Sequence, residues 1–376
     1  MQDNSGNISI MKKLLRKPAA VVALAIIGLT CFVAVFAYLF APDNTPNANR
    51  MVVELGAREP GFTKVLLYIP NSATASELQP SWTDIFSGTP SAYTAIPVNS
   101  YWFEGDKLMV AHYIDEGIED TLSYAVSYLA GSKNTALALP QKQDYIKDEL
   151  LQETTYYLGT DRYGRDILSR LLIGARVSLA VGFIAVLLSI TIGIFLGSLS
   201  GYYGGIIDNM VMWLINILWA IPTLLLVFAI TLTIGKGFWQ IFIAIGLTMW
   251  VSAARLIRGQ VMALKEMEYI TAAKALGLKD ARIIYRHILP NIAGPVMVVA
   301  ASNFATAILI EAGLSFLGIG VQPPMPSWGL MIKEHYNFLL TNRPFLAIVP
   351  GIAIMLLVYA FNILGNALRD VLDVRG

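Results

Sequence analysis

Cysteine is nearly missing from this chain: Cys31 stands alone among 376 residues, so no disulfide can close within it. Charge is scarce as well, at 14% of positions with a net of +1, which leaves no basic patch for nucleic acid. The three histidines, His112, His287 and His335, lie far apart and show no metal-ligand spacing. No Gly-x4-Gly-Lys-Ser/Thr loop occurs, so ATP finds no Walker cradle, and Gly235-Lys236 is only a turn. The His-Glu-x-x-His and Gly-x-Ser-x-Gly motifs are also missing, as are paired intramembrane aspartates, which removes the protease designs. What remains is apolar. With 56% hydrophobic residues and a mean hydropathy of +0.59, the chain is too apolar for an ordinary soluble protein.

Lys12, Lys13, Arg16 and Lys17 precede an uncharged run from Ala19 to Phe40. A signal peptide has that charge order, but this run reaches the ~20 residues needed to span a bilayer. It is therefore expected to be a retained first transmembrane helix over residues 19–41, after a cytoplasmic segment 1–18. Further spans are predicted at about 178–199, 210–234, 238–256, 292–314 and 345–364, giving six in all. Basic residues from Arg255 to Arg286 place the segment 257–291 on the cytoplasmic side, together with both termini and the tail 367–376. Arg162, Arg165, Arg170 and Arg176 break that rule, but the rule weakens beside long translocated loops. Asp161 and Asp166 also offset part of their charge.

A mostly polar outer insert is expected over residues 42–157. Its β-like runs Lys64–Ile69 and Lys107–Tyr113 are separated by Pro60, Pro70, Pro80, Pro90 and Pro97. Trp82, Phe86, Tyr93, Tyr101, Trp102 and Phe103 supply material for a core of its own, and the insert is expected to face the outside. In the second span, Ser189, Gly193, Gly197, Gly201 and Gly205 recur every fourth residue, either a ridge against which a neighbouring helix packs or a moving hinge.

Three segments carry the functional argument. Between Met267 and Pro290 lie Tyr269, Thr271, Ala272, Ala273, Gly277, Asp280, Arg286 and His287. This polar stretch reads as helix, glycine break, helix, with Gly277 in a left-handed cap, Asp280 capping the next helix and Pro290 stopping it. Small side chains at Ala272, Ala273 and Gly277 offer one face to another protein's backbone.

The second segment, Leu158 to Arg170, contains Gly159, Asp161, Gly164, Arg165 and Asp166. It is read as a turn followed by an amphipathic helix lying in the membrane interface over 158–177, either a plain anchor or a gating contact. In the third, Glu311 to Gly329, the prolines Pro323, Pro324 and Pro326 forbid regular helix. Irregular backbone at membrane depth must be buried in protein or line water, which places Ser315 and Phe316 at an outer mouth with Trp328 as an interfacial anchor. Glu311 is either functional or simply at the water boundary.

Taken together, these segments and the tail Asn362–Arg375 resemble the permease subunits of dipeptide/oligopeptide ABC importers, most nearly the C-type partner. Three positions depart from that pattern: Thr271 stands where the family usually has Glu, Asn366 where it has an acid and Val374 where it has proline. The resemblance implies an all-α polytopic membrane protein of the type I importer permease fold, with six transmembrane helices and an α+β or β-rich insert between the first two. An ABC type-1 transmembrane domain would cover 174–366. Implied partners are a second homologous permease, two ABC ATPase subunits that bind the ATP, an extracytoplasmic solute-binding protein and the lipid bilayer. No cofactor or metal of its own is implied, and the implied location is a bacterial inner membrane. The rival reading, an ion-gradient-driven secondary transporter or channel, wants ionisable residues at mid-membrane and broken helices in paired halves; the mid-span regions carry no ionisable residue and no inverted internal repeat is evident. A membrane-anchored assembly protein is a third.

Overall fold

The computed structural model describes residues 10–71, 82–131, 134, 136–235, 237–341 and 343–372. Pro80, Lys236, Val374 and Arg375, named above, lie outside them. The first apolar run forms helix α1, Pro18–Val35, with proline in its first turn, where a missing N–H costs nothing. It packs on the last helix and on the long helix that follows the insert.

The insert is an antiparallel sheet with strand order β4-β3-β2-β1-β5. The strands are β1 (Phe62–Pro70), β2 (Tyr93–Glu104), β3 (Lys107–Asp115), β4 (Ile118–Ala125) and β5 (Leu151–Tyr156). Gly105 and Gly117, at φ 60° and 77°, make the tight turns on either side of β3. Pro97 does not break a strand: it lies inside β2 opposite Leu66, and a register shift follows between Val98 and Ser100. The core is aliphatic, built from Leu67, Val98, Leu108, Val110, Leu129 and Ile146. Tyr93 and Phe103 only flank it, whereas Phe86, Tyr101 and Trp102 are exposed and Trp82 is 87% exposed. Branched aliphatics from sheet and helices already fill the space that the aromatics were expected to occupy.

Helix α2 runs unbroken over Ile167–Tyr203, so the expected interfacial helix is a turn plus the start of this helix and not a separate element. The Asp166 carboxylate caps it by accepting from the Ser169 amide at 2.8 Å. The glycine ridge lies against α5 (Phe238–Lys265). A Cβ on Gly193, Gly197 or Gly201 would come within 2.6–2.7 Å of Ala253 Cβ, Ala254 O or Arg258 O. Gly205 is not part of this ridge, because Gly204 and Gly205 (φ 68° and 56°) turn the chain into α3, Gly205–Trp219.

The apolar run 210–234 is not one straight span. Helices α3 and α4 (Thr223–Ile234) meet at 93°. Pro222 lacks the amide a continuous helix would use, and it pushes the preceding residue away from helical geometry. Among the described residues, α6 (Glu268–Ala275), α7 (Asp280–Phe316), α8 (Trp328–His335) and α9 (Phe345–Leu372) follow. Among the described residues, five helices are long and apolar enough to cross a membrane, or six if the bent pair counts as one.

Candidate functional site

Three candidate regions map onto two ends of the helical body. At the end away from the insert, α6 closes in a double-bonded glycine cap. The Leu278 amide donates to Ala273 O at 3.2 Å, the Gly277 amide donates to Lys274 O at 2.9 Å, and Gly277 has φ 76°. Nothing lies within 4 Å of where a Gly277 side chain would begin. The small-residue face is split: Ala272 and Gly277 point outward, while Ala273 is buried with Ile270 and Ile283. Two large side chains are left bare instead, Leu276 at 82% and Tyr285 at 77% exposure. Tyr269, Thr271 and Arg286 are exposed around them, and His287 is half-buried.

Two local expectations fail here. Lys279, not Asp280, is the N-cap of the next helix and gives it no side-chain bond. Asp280 instead accepts from the Tyr202 hydroxyl at 2.7 Å. Pro290 does not stop the helix. A wider π turn, Ile284–Ile288, precedes it, and the Asn291 side chain donates to His287 O at 2.6 Å, so the strain of a proline is absorbed and α7 continues.

At the insert end, residues 158–166 form a tight turn. Asp161 Oδ1 accepts from the Tyr163 and Arg165 amides at 2.8 and 3.0 Å. Gly159 and Gly164 have φ of 77° and 72°, and a Cβ on Gly164 would sit 1.7 Å from Val52 O, so the 52–58 strap lies directly over the turn. The polar side of the amphipathic pattern faces inward, not toward a membrane surface. Arg165 contacts Asp161 Oδ2 at 2.5 Å and Glu334 Oε2 at 2.9 Å, and Arg170 contacts the same two carboxylates at 3.7 and 3.3 Å. Buried guanidiniums are tolerated only with such partners.

Glu334 and His335, on α8, were not among the residues singled out from sequence. The signal was the arginine cluster that broke the charge rule: it called for an acid nearby, and Glu334 is the only one between Gly313 and Asp370. Asp161, Glu334 and His335 could converge on a cation, with ligand atoms within 4.8 Å of one another. Arg165 and Arg170 already supply the positive charge those carboxylates need. Burial lowers the His335 imidazole below its ordinary value, partly offset by Asp161, the Met331 carbonyl and Glu334. Burial raises the Asp166 carboxyl despite its bonds from Ser169.

Glu311 is fully buried, which removes the water-boundary reading. The Ser315 hydroxyl donates to its Oε1 at 2.7 Å, and the Val321 amide donates to that hydroxyl at 3.1 Å, so the acid ties helix α7 to the proline loop. Phe316 and the prolines Pro323 and Pro324 are at the surface. Trp328 is 4% exposed and its indole N–H donates to Leu171 O at 2.9 Å. It clamps α8 against Gly174 of α2, so it is not an interfacial anchor.

The chain is similar in sequence to known membrane transport proteins. A family model described as binding-protein-dependent transport system inner membrane component matches residues 175–375. The dipeptide transport system permease protein DppC of Alkalihalophilus pseudofirmus is 44% identical over 218 residues, 58% of this chain and 71% of that protein. The glutathione transport system permease protein GsiD of Pectobacterium atrosepticum is 41% identical over 234 residues, 61% of this chain and 77% of its own. Among solved structures, the inward-facing MetNI methionine ABC transporter aligns over 54% of this chain and 96% of its own. The TM-score is 0.45 at 21% identity.

Proposed function

This chain belongs to the family of binding-protein-dependent transport system inner membrane components, and on that premise we propose that it forms half of a translocation pathway for di- or oligopeptides or related small solutes. It is a permease subunit of an ABC importer and a transport component, not an enzyme. Family membership implies ATPase subunits, a solute-binding protein and a membrane. The finer reading adds a second, homologous permease, two ATPase subunits, a six-span topology in a bacterial inner membrane, and both termini in the cytoplasm. The insert would then face outward, over the pore mouth or under the docked binding protein.

One observation carries the coupling role. The segment 257–291 is polar and closes in a hydrogen-bonded cap, yet it leaves Leu276 and Tyr285 bare on either side of the Gly277 elbow. A groove on an ATPase would bury both side chains, and large apolar or aromatic groups of this kind anchor protein interfaces. Closure of the ATPase pair on ATP would pull on this elbow and tilt the attached helices. Packed helices pass on such motion because their interfaces have discrete arrangements.

The test uses Cys31→Ser protein with single cysteines at Leu276 and Tyr285. Each should crosslink to an ATPase subunit in the intact complex, and ATP should drive uptake in proteoliposomes. Labelling of those cysteines from outside the cell, or uptake driven by an ion gradient without ATP, would overturn the reading.

A further inference from the structure

We propose that Tyr202, at the last turn of α2, is the joint through which movement of the coupling segment reaches the helical body. This deepens the importer reading and rests on it.

The geometry is that of a hub. The Tyr202 hydroxyl donates to Asp280 Oδ1, the first residue of α7, at 2.7 Å. Lys274 of α6 and Lys265 of α5 lie 5.1 and 5.9 Å from the centre of its ring. The buried ring packs in one cluster with Ile257, Val261, Ile270, Ala273 and Ile283. One side chain of α2 therefore meets α5, the coupling helix α6 and the start of α7. No other α2 side chain reaches the α6–α7 elbow with a hydrogen bond among the described residues.

What lies on the other side of the joint is stiff. The glycine seam brings α2 onto the backbone of α5 at Ala254 and Arg258, so these two helices cannot slide independently. Just beyond Tyr202, Asp208 of α3 accepts from Arg258 of α5 twice, at 2.5 Å each, and from Ser200 of α2. The Arg255 guanidinium lies 3.8 Å over the Trp219 ring, beside the bend between α3 and α4. A pull on Asp280 thus acts through Tyr202 on a body that already joins α2, α5 and the bent pair. Tyr202 is a positioning residue: it acts through other residues and need touch neither ATP nor cargo.

The experiment places spin labels at exposed Phe195 of α2 and exposed Ala275 beside the elbow, in Cys31→Ser protein assembled with its ATPase subunits. Distances are measured without nucleotide and with ATP plus vanadate. In the wild type the distance should stay the same, because elbow and helix move together. In Tyr202→Phe, which keeps the ring, the distance should match the wild type without nucleotide and shift when ATP and vanadate are added. Asp280→Ala, which removes the acceptor, should give the same shift, and the double variant no more than either. A Tyr202→Phe distance that ignores nucleotide, or one altered equally in both states, would overturn the joint, the latter marking loose packing only. ATP hydrolysis by the wild-type preparation tests the importer reading separately, since the joint can fail while hydrolysis persists.

Discussion

Arg165 Nη2 lies 2.9 Å from Glu334 Oε2, although 169 positions separate the two residues in sequence. One belongs to the turn that leads from the insert into α2, the other to α8 between α7 and α9. Arg170 reaches the same oxygen at 3.3 Å. The contact is thus a buried latch that fastens the insert end of the first half of the helical body to the second.

Glu334→Gln should unfasten it. The amide keeps the size of the side chain but leaves two buried guanidiniums sharing a single carboxylate, Asp161. Losing one partner of a buried ion pair costs about 3–5 kcal/mol. Thermal unfolding in detergent should begin at a clearly lower temperature than in the wild type. An unchanged transition would mean that Asp161 alone balances both arginines.

The fold around His335, the neighbour of Glu334, should lose stability on acidification. Burial lowers the His335 imidazole in the folded protein, so in the window just below its ordinary value of ~6.5 the unfolded chain takes up a proton that the fold resists. The contribution is complete above that value and is lost as pH falls through it toward the folded value. Asp166 has the opposite sign, since its raised carboxyl favours the fold at acid pH, but its window lies in the carboxylate range. Melting temperatures taken from about pH 7.5 to 5.5 should fall, and His335→Asn should flatten that slope. Equal slopes in both proteins would assign the effect elsewhere.

A contrast between two glycines tests the seam between α2 and α5. A Cβ on Gly197 meets Ala254 O at 2.6 Å, whereas Gly259, on α5 itself, has nothing within 4 Å. Gly197→Ala forces the helix backbones apart and should cost about 1–3 kcal/mol. Gly259→Ala should be neutral or stabilise by up to ~1 kcal/mol, because alanine is the better helix former. Unfolding of both variants in detergent decides the matter. Similar stability in the two would show that the seam relaxes freely.

Much of this was legible from local pattern. The apolar runs located α1, α2, α5, α7 and α9, and the four-residue glycine spacing located the α2–α5 seam, because each depends on residues within a few turns. The bend at Pro222 was equally local, yet the uniform apolarity around it hid the break. What failed was tertiary. Amphipathicity in 165–170 marked a polar face without saying whether lipid headgroups or Glu334 would meet it. Trp328 carries an indole suited to an interface, but Leu171 O and Gly174 were waiting across the fold. The resemblance to peptide permeases survived these errors because it rested on spacing around Gly277 and Glu311, not on where each side chain packs.

Gly277 offers the sharpest test of the coupling elbow, because its geometry and its surroundings make different demands. At φ 76° a residue with a Cβ is strained by roughly 1–2 kcal/mol, although asparagine tolerates this region better than most. The space around it is empty, so no side chain would clash within the subunit. Gly277→Asn should therefore fold, keep the cap and retain most transport. Gly277→Val adds a β-branched residue to a left-handed position and should open the elbow, moving Leu276 relative to Tyr285. Gly277→Pro cannot adopt the angle at all and also removes the amide that donates to Lys274 O. For the last two, ATP hydrolysis and uptake measured together in reconstituted complex should separate, with hydrolysis continuing and uptake falling. Full coupling in Gly277→Pro would show that the bend is dispensable, and with it the lever that the exposed Leu276 and Tyr285 are proposed to form.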